Sequence, residues 1–217
     1  MLTGGQKLKL GLLKDRVYND SMKILITGFE PFGSDTYNPS GEVLSLISDE
    51  INGNEIITAI LPVARKAAQE QILNLIEKEN PDCVISLGLA AGRKGITVER
   101  TAVNADDFRI RDNAGEQPHD EKIFEDGPDA YFTSLPFRKM EAALKNAGFP
   151  VSVSESAGTF VCNHVFYAVR HACSIKHPQI ISGFIHLPCA DEMGKENVFS
   201  MPLHDLADAV IKAVSVL

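Results

Sequence analysis

The sequence predicts an α/β fold: a three-layer α/β/α sandwich built on a mostly parallel, twisted sheet. Two observations carry this expectation. Short, nearly unbroken apolar runs such as "MKILITGF" (22–29) and "DCVISLGLA" (82–90) have the length and composition of strands buried on both faces. Between such runs lie segments with apolar residues at helical spacing, and strand–helix alternation calls for βαβ units with helices on both sides of the sheet.

The elements follow in order. After the strand at 22–29, Asn38 as N-cap and Pro39 at the first helical position predict a helix, with Val43, Leu44, Ile47 and Ile51 as its apolar stripe. "EIITAILPV" reads as a second strand, closed by Pro62. "ARKAAQEQILNLIEKEN" reads as a helix with Ala68, Ile72, Leu75 and Ile76 inward, stopped at Asn80-Pro81. The strand at 82–90 runs into the loop "AGRKG". "ITVERTAVNA", "SVSES" and "QIISGFIHLP" supply further strands, and helices are expected at 134–147, 162–176 and 203–215. The polar stretch 104–130 is too long for a passive connection, and the spacing around Asn113-Ala114-Gly115 predicts a small hairpin beside a site. Residues 1–21 have no sustained period and read as a peripheral extension, leaving 22–217 as one domain.

Composition narrows the function. A formal charge of −8 without a Lys/Arg cluster argues against a nucleic-acid partner. The longest apolar runs fall short of a membrane span. Four widely spaced cysteines (Cys83, Cys162, Cys173, Cys189) with no CxxC read as reduced thiols in a cytoplasmic protein rather than a disulfide framework. "GFEPFG" lacks the Lys-Ser/Thr of a P-loop, and no GxGxxG occurs, so a nucleotide cofactor is not indicated. Cys162 and His164 are two residues apart, about 200° around a helix, and nothing else has metal-ligand spacing, so no metal is expected.

Cys162, in "SAGTFVCNHVFYAVRH", stands at the start of a predicted helix, where free amide N–H groups and the macrodipole favour an anion. These are conditions for a thiolate nucleophile and its oxyanion, although a free cysteine is more often a buried structural residue and the helix start alone does not outweigh that. Cys83, Cys173 and Cys189 lack that placement. A nucleophile needs a base, and His186 ends an apolar strand at the carboxyl edge where open α/β sheets put their sites. His164 and His171 are expected to face solvent. Glu99 interrupts an apolar strand and must find a partner: the imidazole of a triad, or an arginine.

The segments "TGFEPFG", "GLAAGR…ITVERTAVNADDFRIRDN", "SAGTFVCN" and "SGFIHLP", in this order from Met22 to near the C-terminus, resemble the pyroglutamyl peptidase I family of cysteine peptidases. The resemblance implies Cys162 as nucleophile, His186 as general acid/base, Glu99 as its orienting carboxylate and Arg109 near the oxyanion. It implies Phe29 and Phe32 around the flat lactam ring, with Leu89 and Asn38 as further substrate contacts. It also implies a fold like that of purine nucleoside phosphorylases, no cofactor, peptides with N-terminal pyroglutamate as substrates, and a homotetramer. Ser34 departs from the family's second glycine, and Leu89 from a common Gln. The rival readings are a nucleoside phosphorylase-like enzyme, with Arg93 or Arg109 as phosphate ligand, and a non-catalytic α/β binding protein.

Overall fold

The fold comes from a computed structural model, which describes residues 21–217. The expected N-terminal extension, apart from Ser21, lies outside the described residues. The main sheet has seven strands in the order β2-β3-β1-β4-β9-β5-β8. These are β1 (Lys23–Phe29), β2 (Glu50–Ile51), β3 (Asn54–Leu61), β4 (Cys83–Leu89), β5 (Ile96–Glu99), β8 (Val151–Ser154) and β9 (Ile181–Leu187). β3, β1, β4 and β9 run parallel, while β5 is antiparallel to β9 and parallel to β8. The three longest apolar runs become the central strands because strands covered on both faces need apolar residues at every position, and all seven residues of β4 are buried.

Helices cover both faces. α2 (Arg65–Glu79) and α4 (Val161–Ile175) pack with Leu25, Val84 and Phe184 on one side. α1 (Pro39–Glu42), α3 (Phe137–Asn146) and α5 (Leu203–Val214) lie on the other, over Ile24, Ile26, Ile85 and Ile185. Adjacent residues of one strand thus feed different cores, as a period of two requires. The predicted three layers are present, and no helix among the described residues is long and apolar enough to cross a membrane.

Three expectations change. The helix begun at Asn38, whose side chain caps Ser40 N–H at 3.1 Å, lasts only to Glu42 before a 3-10 turn over Val43–Leu46. Ile47 is already extended, and Ile51 belongs to β2. All four stripe residues are buried, but around a hairpin: Asn52 and Gly53 have φ of 52° and 83°, the pair of left-handed residues a two-residue hairpin turn demands. Second, "ITVERTAVNA" is two strands. Arg100 N–H donates to Ser154 O while its own carbonyl accepts from Thr133 N–H, both at 2.8 Å, so the chain leaves the main sheet there. It continues as β6 (Thr101–Val103), paired with β7 (Ala130–Phe132). Third, the 104–130 segment folds back through a single antiparallel bridge, Asp106–Glu121, and a turn at Asp112–Gly115, without a regular ladder. Arg65 of α2 ties it down through Asp106 (3.1 Å), Glu116 (2.6 Å) and Glu121 (2.9 Å). A short parallel pair, β10 (Cys189–Ala190) and β11 (Ser200–Met201), precedes α5.

Gly28 fixes one junction that matters for the site. A Cβ there would stand 1.9 Å from the Ser40 carbonyl oxygen, so only glycine lets α1 close over the end of β1.

Candidate active site

The carboxyl ends of β1, β4 and β9 open into a cavity of about 540 Å³. It is lined by Phe29, Phe32, Asn38, Leu89, Arg93, Arg109, Cys162 and His186 among others, so every residue singled out from sequence except Glu99 lies on its wall. Glu99 sits just behind, fully buried, and reaches the cavity through His186.

Cys162 is the second residue of α4. Phe160 precedes the helix in an extended conformation with no side-chain cap, and the first intrahelical bond is His164 N–H to Phe160 O. The amides of Val161, Cys162 and Asn163 are therefore the donors that a helix start leaves free. Beneath the thiol lies Gly88, where a Cβ would come within 2.9 Å of Cys162 Sγ and 2.8 Å of the Phe184 ring. The missing side chain is the space the sulfur occupies. Gly88 is also the register partner of His186 on the neighbouring parallel strand, which brings nucleophile and base to one place.

His186 is 4% exposed, and its Nδ1 is 2.7 Å from Glu99 Oε1. A neutral imidazole with Nδ1–H donating to a carboxylate leaves Nε2 as the acceptor for a proton. Antiparallel pairing of β5 with β9 produces this contact: Thr97 pairs with His186 and Glu99 with Phe184, so Glu99 and His186 project from the same face of adjacent strands.

The two readings of Glu99 weighed from sequence are both realised. Arg93 Nη1 bonds the same Oε1 and also Thr97 Oγ1, and Nη2 donates to the Ser156 carbonyl at 3.2 Å. From sequence, Arg93 is a candidate only for the phosphate ligand of the phosphorylase-like reading, and its tie to Glu99 is new. An arginine in the loop entering β5, a few residues before a carboxylate with no place in an apolar strand, was the available signal.

Electrostatics correct another expectation. Burial pushes the Cys162 thiol up to about 12, helped by the Glu99 carboxylate and opposed by Arg93 and a backbone hydrogen bond. The helix terminus therefore does not make a resting thiolate here. Burial also holds His186 below the ordinary histidine value, although Glu99 pulls the other way. For Glu99, burial favours protonation, but the His186 hydrogen bond and charge, with Arg93, keep it below the usual carboxylate range. The resting arrangement is a neutral thiol, a neutral imidazole and an ionised Glu99. Cys83, Cys173 and Cys189 are raised by burial too, so Cys162 is set apart by access: it alone of the four lines the cavity.

His164 and His171 do not face solvent as expected. His164 is 4% exposed, held between Asp106 (2.7 Å) and Gln69 (2.8 Å), and His171 is half-buried against Tyr131 and Phe124. The segment 103–106 crosses the back of α4 and supplies the partner that a solvent-facing assignment left out. Asn163 completes this clamp, accepting from Val103 N–H and donating to the carbonyls of Val103 (2.9 Å) and Ala105 (3.1 Å).

Comparison with known proteins agrees with the geometry. The pyroglutamyl peptidase family profile matches residues 22–217. This chain belongs to that family. It is 47% identical over 195 residues to the pyrrolidone-carboxylate peptidase of Finegoldia magna, covering 89% of this chain and 92% of that one. The enzyme of Vibrio parahaemolyticus is 48% identical, with 89% and 91% covered. Among solved structures, pyroglutamyl peptidase I of Bacillus amyloliquefaciens superimposes with a TM-score of 0.87 at 38% identity, covering 90% of this chain and 96% of the other. The pyrrolidone carboxyl peptidase of Thermococcus litoralis gives 0.86 at 40% identity, with 90% and 92% covered. As a pyroglutamyl peptidase the chain is a cysteine-type hydrolase that removes N-terminal pyroglutamate from peptides. The phosphorylase-like and binding-protein readings are not favoured, and Arg93 is already engaged by Glu99.

Proposed function

We propose that hydrolysis runs through Cys162, His186 and Glu99. The observation that supports this most is the junction at Gly88, where the thiol fills the space of a missing side chain beside a histidine whose far nitrogen is bound by a buried carboxylate. In this reading His186 Nε2 takes the thiol proton as sulfur attacks the pyroglutamyl carbonyl carbon. The free amides at the start of α4, with Arg109 on the cavity wall, receive the oxyanion. His186 then gives its proton to the departing amine as the C–N bond breaks, leaving a thioester. Water, deprotonated by the same nitrogen, cleaves the thioester, releasing pyroglutamate and restoring the thiol. Glu99 stays ionised and balances the imidazolium formed in each half.

The substrate's flat, uncharged ring suits the apolar end of the cavity, where Phe29, Phe32 and Leu89 stand. Asn38 has its oxygen engaged by Ser40 and one amide hydrogen by the Glu30 carbonyl, so capping accounts for most of its hydrogen-bonding capacity. One N–H remains for a ligand.

The pH profile tests the assignment. The base must be neutral, and His186 is held below the ordinary histidine value, so activity is lost only as pH falls through that lowered value. The thiol, raised to about 12, adds no alkaline limb in the working range. Release of a fluorophore from a pyroglutamyl-aminocoumarin should give kcat/KM flat from about pH 7 to 9, with one acid limb centred below about 6.5. A limb centred above neutrality contradicts the assignment.

The oligomer and compartment belong to the same reading. The family resemblance supports assembly as a homotetramer, and sedimentation giving only a species of one chain's mass overturns it. Four free thiols support a reducing, cytoplasmic setting, which fractionation of the producing cells would check.

A further inference from the structure

Arg93 has no role in the steps just described, yet its guanidinium is the most connected group behind the cavity. It stems from the loop between β4 and β5, lines the cavity, and its side chain is 29% exposed. Its Nη1 bonds Glu99 Oε1, the atom that also receives His186 Nδ1, and the Thr97 hydroxyl. Thr97 Oγ1 in turn lies 3.3 Å from the same carboxylate oxygen. Its Nη2 holds the Ser156 carbonyl, in the segment that runs through Gly158 (φ 81°) into α4 and Cys162. One planar side chain thus joins the loop before the acidic strand, the carboxylate, and the lead-in to the nucleophile.

Glu99 has no exposed surface, and its Oε2 has no hydrogen-bond partner among the described residues. A carboxylate in that position beside a neutral imidazole needs a cation, because an unpaired buried charge either captures a proton or draws one onto its neighbour. The groups facing the His186 ring are Glu99 from β5, Arg93 from the preceding loop and the Cys162 thiol from α4. β4 presents only Gly88 at that level, and Phe184 packs its ring 4.8 Å away. Asp35, Asp107, Arg109 and Lys195 also line the cavity, with Asp35 and Lys195 paired to each other at 2.6 Å. Arg93 is the cation in direct contact with Glu99.

We propose that Arg93 is a positioning residue for pyroglutamyl hydrolysis, sharing Glu99 Oε1 with His186 so that the carboxylate orients the imidazole without keeping a proton on it. The proposal rests on the assignment of Cys162, His186 and Glu99 above. When the guanidinium is removed, Glu99 turns its full charge on His186, and the histidine becomes harder to deprotonate.

The test compares wild type with Arg93→Met, Arg93→Gln and Arg93→Lys, reading kcat/KM against pH and the His186 imidazole titration by NMR, assigned with His186→Asn. In Arg93→Met the acid limb and the NMR titration should both move up by about one pH unit, as expected for losing one nearby charge partly screened by solvent. Activity at pH 6 relative to pH 8 should then fall about three- to sixfold further than in wild type. Arg93→Gln, uncharged but polar, should show the same shift even if Arg93→Met does not fold. Arg93→Lys, keeping the charge but losing the planar fork, should restore most of the limb while kcat stays lowered. Limb and titration both unmoved in a folded Met or Gln variant overturn the proposal, because loss of a merely structural contact would lower kcat without moving either. Failure of the underlying assignment appears separately, as an active Cys162→Ser or His186→Asn enzyme.

Discussion

Cys162→Ser is expected to release fluorophore from a pyroglutamyl-aminocoumarin at least about a hundredfold more slowly than wild type, with KM little changed. The substitution exchanges sulfur for a smaller atom whose proton is much harder to remove, in a site where the base is a neutral imidazole held below its ordinary basicity. The pocket of Phe29, Phe32 and Leu89 and the amides at the head of α4 are untouched, so binding survives while attack fails. Thermal unfolding should move little, since serine fits above Gly88 where Sγ fits. A serine variant within a few-fold of wild type would remove Cys162 from the chemistry and the proposed mechanism with it.

Glu99→Gln should cost about a thousandfold in kcat. The amide can still accept from His186 Nδ1, so the ring keeps its orientation and substrate still binds. What disappears is the negative charge that balances the imidazolium in the transition state, while the Arg93 charge stays behind beside it. The same loss makes His186 less basic, so the acid limb of the variant should shift to lower pH, opposite in sign to the shift expected on losing Arg93. A kcat within tenfold of wild type, or a limb moved upward, would assign Glu99 to a structural ion pair alone.

Legibility of this protein in its sequence follows how local each cause is. β1, β4 and β9 announce themselves because a strand buried on both faces must be apolar throughout. α2 and α4 are equally plain, and Cys162 and His186 could be placed at a helix start and a strand end from neighbouring residues alone. The hairpin at Asn52-Gly53 was also written locally, in an Asn-Gly pair that the helical spacing of Val43, Leu44, Ile47 and Ile51 overrode. Other features depend on partners far along the chain. The break at Arg100 exists because Ser154 of β8 and Thr133, just past the end of β7, claim its two backbone groups. The burial of His164 needs Asp106 and Gln69 from two other segments. The raised thiol is a matter of how much protein surrounds Cys162, which no window of sequence reports.

The clamp behind α4 sets the size of the piece that can be exchanged between relatives. One turn of that helix points Cys162 into the cavity, while its next two residues grip 103–106, the stretch leading to Asp107, Arg109 and Ile110 on the cavity wall. Wall and nucleophile are therefore a single packed unit rather than two parts. A chimera that imports the 103–121 loop from another family member without its matching 161–170 helix breaks a buried seam, whereas one that moves both carries its own fit with it.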